Sequence, residues 1–509
     1  MRLSTACGVL IAALASGTSC TRLQWAARSS GAEFRSSWSD GFTRLNVAAG
    51  GELEFTEDDS AVESLSKDGF LLIEESNWLE VRSLEVFPGP GGRPEQRYCF
   101  QDRPKPYDEE ARRWAARLIP QILRRSGLGA RVRVERIRAR RGAAGVLEEI
   151  SRIRSSRVKR TYFEELFQGG SLDAAMMDSA ARQIGREVGS DSDKARLLLS
   201  LADYYTSNEA AERGLFDAVG AIRSDSERRR VLVGILGKRR PGPQTAIQAL
   251  RSAQRMSSAS EKRAVLQAAV GALPADPAVL AAYLEAAGSI RSDSERRIAL
   301  VALLDRDELP NQAVVGVLRA VPSMSSASEK RSVLMKAVSP AARHEGVGEA
   351  WLAAAASIRS DSERRHALMA LLDREDLPKE TLVRLLGSVR DLSSSSEKRY
   401  VLVKAAPRAA GQEEAAAAWL AAAASIQSDS ELRTALLTLL EREGLSRSTL
   451  VSVLKTTRRL SSDHEKAAVL VRMARITPRD EQVQAALSEA AGGLRSSSEY
   501  RRVMDALRR

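Results

Sequence analysis

Ser292-Asp293-Ser294-Glu295-Arg296-Arg297 is one of ten related stretches in this chain, beginning at Ser190, Ser224, Ser258, Ser292, Ser326, Ser360, Ser394, Ser428, Ser462 and Ser496. Each is separated from the next by 34 residues and reads Ser-x-x-acid ahead of an apolar-periodic run. That pattern is a capping box: the serine oxygen accepts from the amide three residues on, and the acid there reaches back to the cap amide. Ten helix starts in fixed register, at a period too short for a domain, predict stacked supersecondary units.

Each unit reads as two helices. Helix A follows the box, as over Ser292 to Asp305, with Leu300, Val301, Leu303 and Leu304 on its apolar side. Helix B follows a short break, as over Pro310 to Val321, with proline where the first turn tolerates it at Pro277, Pro310 and Pro378. Neither helix alone buries its stripe, so the next unit must cover it. A second period of 68 lies on top, because Ser-Asp-Ser-Glu-Arg-Arg boxes alternate with Ser-Ala/Ser-Ser-Glu-Lys-Arg boxes. Residues 289–310 and 357–378 agree at 18 of 22 positions, so the copied unit is a pair of hairpins. Asp and Arg at i,i+4 within a box (293/297, 361/365, 429/433) are expected to pair on the surface for a few tenths of a kcal/mol each. Tyr283, Trp351 and Trp419 recur every 68 residues in alanine-rich second helices. They read either as core fillers or, if exposed, as a candidate groove row.

Before the array the pattern changes. Residues 1–20 read as a signal peptide: Arg2, then an apolar run from Ala6 to Ala15, too short for a bilayer's roughly 30 Å of hydrocarbon. Gly17-Thr18-Ser19-Cys20 resembles a bacterial lipobox with Cys20 as the lipidated residue, although Gly17 stands where an aliphatic residue is usual. The alternative is cleavage nearer Ala13-Leu14-Ala15 and a freely exported chain, in which Cys20 could bond Cys99. Residues 21–41 read as a flexible tether, and residues 42–104 as a small antiparallel β domain of five to seven strands, with period-two alternation broken at Gly50-Gly51, Lys67-Asp68-Gly69 and Pro88 to Gly92. Asp108-Glu109-Glu110 opens a helix expected to cover the sheet and to kink at Pro120. Residues 105–154 are linking helices, and 155–509 the repeat solenoid. The fold class is therefore mainly α: a right-handed α-solenoid of about ten helical hairpins behind a small antiparallel β domain.

Most of the charge excess is local. The whole chain carries +12, and residues 131–160 hold eleven basic residues against three acidic ones. Arg131, Arg133, Arg136, Arg138, Arg140, Arg141, Arg157, Lys159 and Arg160 are the candidate contact with an anionic surface, against the reading that they are the solvated face of a helical hairpin. Nucleic acid ranks last as a partner, because no aromatic residues interleave with the arginines as a stacking platform requires. His344, His366 and His464 lie in different repeats without an HExxH pair, and no GxSxG or P-loop stretch occurs. No cofactor and no metal is expected.

The 34-residue hairpin period resembles tetratricopeptide and HEAT-type α-solenoids in length, while the tetratricopeptide Trp, Leu-Gly and Tyr pattern is absent. The boxes, with a β domain and the Tyr107-Asp108-Glu109-Glu110-Ala111-Arg112-Arg113-Trp114 helix ahead of them, resemble uncharacterised exported bacterial repeat proteins and the extracytoplasmic arrays of membrane-embedded zinc-protease sensors. That resemblance implies a sensing or binding module. The expected function is an exported, lipid-anchored, non-enzymatic scaffold of the bacterial cell envelope, in the periplasm or on a membrane. Its partner would be a protein, a peptide or an anionic envelope polymer. The alternative is an extracytoplasmic sensor that signals to a membrane partner.

Overall fold

The structure, a computed structural model, describes residues 31–202, 209–238, 241–477 and 480–508. The expected signal peptide, Cys20 and residues 21–30 of the expected tether lie outside the described residues. The chain divides into two compact units, residues 1–231 and 232–509.

The first unit opens with eight strands: β1 (Phe34–Ser39), β2 (Arg44–Gly50), β3 (Leu53–Phe55), β4 (Val62–Leu65), β5 (Phe70–Ser76), β6 (Val81–Pro88), β7 (Pro94–Phe100) and β8 (Arg103–Lys105). Six form an antiparallel sheet ordered β1-β2-β5-β6-β7-β8, and β3 with β4 makes a separate hairpin. Strand β1 lies inside the stretch expected to be tether, and pairs Phe34 with Ala49 through Ser39 with Arg44. As an edge strand it keeps every second side chain exposed, so its alternating serines give no hydrophobic signal.

Helix α1 (Glu109–Ser126) covers the sheet as expected, burying Trp114, Leu118, Ile119, Ile122 and Leu123 against Val47, Ile73, Leu84 and Val86. It runs as one helix through Pro120. Helix α2 (Ala130–Arg152) contains Gly142 at φ 66°, ψ −172°, a conformation reserved almost wholly for glycine. Arg133 Nη2 lies 2.7 Å from Glu149 Oε1. In a straight helix those residues would stand about 24 Å apart, so the chain doubles back at Gly142. Helices α3 (Ser156–Gln168), α4 (Ala174–Glu187), α5 (Asp191–Ala202), α6 (Glu209–Gly220) and the start of α7 (Asp225–Lys238) follow, with α3 packed on α5 and α4 on α6.

In the second unit the alternation continues. The A helices are α9 (Ala259–Val270), α11 (Asp293–Leu304), α13 (Ala327–Lys336), α16 (Asp361–Leu372), α18 (Ser395–Ala410), α20 (Asp429–Leu440), α22 (Asp463–Ile476) and α24 (Ser497–Arg508). The B helices are α8 (Pro243–Gln254), α10 (Pro277–Gly288), α12 (Asn311–Ala320), α15 (Glu345–Ala356), α17 (Lys379–Val389), α19 (Glu413–Ala423), α21 (Arg447–Thr457) and α23 (Glu481–Gly492), and a short α14 (Val338–Arg343) precedes α15. Each A helix packs on the next A helix and each B helix on the next B helix. This is the stacked helical-repeat architecture that the 34-residue period predicts.

The boxes work differently from a closed capping box. Every cap serine accepts from the amide three residues on, at 3.3–3.5 Å. The acid at that third position does not return to the cap amide. Instead the Asp that follows the previous cap takes it: Asp293 Oδ2 accepts from Ser325 N and Ser326 N, Asp361 from Ser393 N and Ser394 N, Asp429 from Ser461 N and Ser462 N, and Asp463 from Arg495 N and Ser496 N, at 2.6–2.8 Å. Asp191 does the same for Arg223 N and Ser224 N in the first unit. Ala259 and Ala327 cannot accept, so the helix starts at Ser292 and Ser360 lack this bond, while Ser395 Oγ accepts from Gln427 N and Ser428 N at 3.2 and 3.4 Å.

The freed acid pairs with arginine one repeat back. Arg263–Glu295, Arg297–Glu329, Arg331–Glu363, Arg365–Glu397, Arg399–Glu431 and Arg433–Glu465 form an unbroken ladder. This corrects the expected i,i+4 pairs at 293/297, 361/365 and 429/433: both members are bonded to a neighbouring repeat rather than to each other.

Because Asp361 fixes the next helix start through two charge-assisted bonds, Asp361→Ala should cost about 1–2 kcal/mol of stability. Amide exchange at Ser393 and Ser394 should rise, while exchange at Ser461 and Ser462, held by Asp429, should stay as in the parent; equal rises at both sites would contradict the assignment.

Candidate functional site

The residue four after each cap is cationic in most repeats and buried in six of them: Lys194, Lys262, Arg296, Lys330, Arg364 and Lys398. Lys262 Nζ donates to Ser289 O and Oγ, Lys330 to Ser357 O, Lys398 to Ser425 O and Oγ, and Arg296 to Gly288 O and Ile290 O. These acceptors are the free carbonyls at the end of a B helix, where a cation also meets the negative end of the helix dipole. Burial pushes the Lys330 and Lys398 ammonium groups down from the ordinary value. The column is structural, and Leu432, buried in the same position, shows that the site belongs to the core.

Tyr283, Trp351 and Trp419 are fully buried and form no groove. Tyr283 Oη donates to Ala299 O at 2.9 Å, Trp351 Nε1 to Leu334 O at 2.9 Å and Trp419 Nε1 to Leu402 O at 2.8 Å. Each ring fills the space between a B helix and an A helix, and the small alanines beside it let the helices close around it. Burial pushes the Tyr283 hydroxyl well above the usual phenol range.

The basic segment turns largely inward. Arg133 is 4% exposed and joins Asp59 at 2.6 Å, Glu149 at 2.7 Å and Tyr162 Oη at 2.8 Å. Arg136 pairs with Asp59 and donates to Phe55 O and Thr56 O at 2.6 and 2.9 Å. Buried Lys159 meets Glu187 at 2.5 Å, and Arg160 meets Asp193 at 3.2 Å. Arg138 donates to Leu166 O and Ser171 O, while Arg131, Arg140 and Arg141 pair with Glu135, Glu57 and Glu148. Only Arg157 of the nine is exposed with no ion pair among the described residues. A continuous anionic-surface contact is therefore not what these residues form. Arg133, Arg136, Asp59 and Glu149 instead clamp the β3–β4 hairpin to α2.

Burial alone would raise the Glu149 carboxyl, yet the hydrogen bonds and charges of Arg124 and Arg133 outweigh it and hold Glu149 below its ordinary value. Glu187 is likewise held down, by Lys159, Ser151 and Gln183 against its burial.

The A helices carry a further column that the sequence reading did not isolate. Val301, Met335, Met369, Val403, Leu437 and Val471 stand nine residues after successive caps. The first five are half-buried or exposed, Met335 the most at 47%, and Val471 is buried. The Arg–Glu ladder runs along one side of this apolar column, with Tyr400 seated between Arg365 and Arg399 at 5.2 and 4.3 Å. Lys336–Asp305 and Lys404–Asp373 pair on the other. The signal was available in the 34-residue register, since the position is apolar in six copies running.

Among the described residues no cluster of three or more His, Cys, Asp or Glu could hold a metal ion, and no helix is long and apolar enough to cross a membrane. Cys99 is buried and disulfide-bonded, its partner lying outside the described residues.

No family model matches this chain, and no curated protein does. A solved structure described as a circular tandem repeat protein with novel repeat topology and enhanced subunit contact surfaces is similar over 79% of this chain and 90% of that one, at 13% identity and a TM-score of 0.14. The repeat architecture rests on the helices themselves.

A carboxylate held below its ordinary pKa binds fewer protons folded than unfolded, so its contribution is complete above the ordinary value of 4.5 and lost as pH falls through the lowered one. Amide protection across 130–165 should accordingly drop below pH 4.5 in the parent chain. Glu149→Gln should lose about 2 kcal/mol at neutral pH, because Arg124 loses its carboxylate and buried Arg133 keeps only that of Asp59, and should show a shallower acid dependence; an unchanged profile would remove Glu149 from the account.

Proposed function

We propose that this protein is a non-enzymatic scaffold of the cell envelope that holds a protein or peptide partner along the A-helix row. The observation that carries this reading is the apolar column from Val301 to Leu437, half open to solvent beside a ladder whose charges cancel. Buried charges elsewhere are spent on joining repeats, so this column is what the row has left to offer a partner. Neighbouring helices pack about 8–10 Å apart, close to the 10.5 Å advance of seven residues in a helix. An amphipathic helix with a heptad apolar spacing therefore meets successive repeats in register.

Export is supported by the first twenty residues, which read as a signal peptide. Lipid attachment at Cys20 would tether the scaffold to a membrane surface. A sulfur that carries lipid cannot also be bonded to Cys99, so the two modifications exclude each other at that position. The sensor reading draws on a separate observation, the Asp59–Arg133–Glu149 clamp, which ties the β domain to the first helices. Under that reading the exposed Phe42, Trp78 and Leu79 tips of the sheet receive the signal.

The scaffold reading is tested with full-length protein carrying Met335→Asp and Leu437→Asp, immobilised beside the parent in envelope extracts. The parent should retain a partner that the double variant releases, with unfolding midpoints alike. Retention that ignores these changes but fails with Phe42→Ser and Trp78→Ser would favour the sensor instead. Separately, a clickable fatty-acid analogue should label the parent and leave Cys20→Ala unlabelled; label on neither chain would leave a freely exported protein.

A further inference from the structure

We infer that the groove between α22 and α24 binds an acidic peptide segment, so that the partner of the A-helix row is anionic at the end that reaches these two helices. This rests on the scaffold reading and specifies its ligand.

Along the A-helix row before α22, two sets of charges pair from repeat to repeat. In the six-rung ladder each arginine five residues after a cap meets the glutamate of the following box. Lys336 and Lys404, ten residues after their caps, meet Asp305 and Asp373, thirteen after the caps before. Both patterns fail at the same place. Position five after Ser462 is Ala467, so Glu499 is taken by His464 at 3.1 Å and Arg502 at 3.2 Å. Position ten is Arg472, and position thirteen, Ser339 and Pro407 in the two equivalent copies before it, is Arg475. Among the described residues Arg472 makes no ion pair with Glu441; its Nη2 reaches Leu440 O at 3.5 Å, and its buried Nε has no hydrogen-bond partner.

The result is a concave site of about 790 Å³ lined by Arg472, Arg475, Arg501 and Arg502 against the single carboxylate of Asp505, with Val471 on its floor. Arg501 has no acidic partner among the described residues and donates only to Ser497 O. Guanidinium groups present forked donors that match carboxylates two bonds at a time. Val471 belongs to the apolar column of the row, so a chain lying on Leu437 and Val471 runs directly into the arginines. A peptide with apolar residues followed by glutamate or aspartate fits both features, whereas a uniformly charged polymer leaves the column uncovered.

The test uses the full chain and fluorescein-labelled peptides of equal length, one built of glutamate and leucine and one with glutamine in place of every glutamate, with inorganic polyphosphate as competitor. The glutamate peptide should bind and weaken steeply with salt, and Arg472→Gln with Arg475→Gln should weaken it about tenfold or more. Arg131→Gln, on an exposed pair elsewhere, should leave it unchanged. Equal binding of the glutamine peptide, or no loss in the arginine double variant, would overturn the inference; polyphosphate binding tighter than the peptide would reassign the groove to a polymer. If only the arginine results fail while Met335→Asp and Leu437→Asp still release the captured partner, the scaffold reading survives and this inference alone falls.

Discussion

Every A helix starts with amides that have no partner inside the helix, and the fold is organised by where those amides turn. The cap serine supplies one acceptor from its own box, and where the residue after the previous cap is an aspartate its Oδ2 supplies the next. A bond of that kind does two things at once: it closes a helix end, worth about 1 kcal/mol, and it fixes the distance and rotation between consecutive repeats. Since the acceptor is a carboxylate and the donors are backbone amides, the geometry does not depend on a flexible partner.

Charge elsewhere follows the same economy. The third-position glutamate, relieved of the cap amide, pairs with arginine from the previous repeat; the fourth-position lysine or arginine goes under the end of a B helix and satisfies its last carbonyls. A box that reads as one local device is therefore split over three helices. Removing one of these groups leaves a half-buried partner unsatisfied, which costs stability. The outcome is a row of helices whose polar residues are largely committed to one another, leaving an apolar column as the part still open to a ligand.

The first unit solves a different problem. A sheet of six short strands buries little by itself, and α1 supplies the missing half of its core. The β3–β4 hairpin is held apart from the sheet and clamped by Arg133 and Arg136 through Asp59, whose φ of 58° places the carboxylate at the turn tip. The arginines that look like a surface patch in the sequence are thus the fastening between β domain and helices, and Tyr162 and Glu149 complete it.

By itself the sequence determined the helix starts, the two-helix unit, its alternating 68-residue pair and the presence of β structure ahead of it, because caps, periodicity and turn residues act within a few positions of the chain. Local signals were silent on direction and depth. Whether Trp351 fills a core or lines a groove, whether Arg133 faces water or Glu149, and whether Arg297 bonds Asp293 or Glu329 depend on which neighbour arrives, and the neighbour is set by stacking. The reversal at Gly142 and the serine-rich edge strand β1 were hidden for the same reason: one rests on a single backbone conformation, the other on hydrogen bonds from β2 rather than on its own hydrophobicity. Tertiary packing decided these, since burial and partnership are properties of pairs of segments and no single segment encodes them.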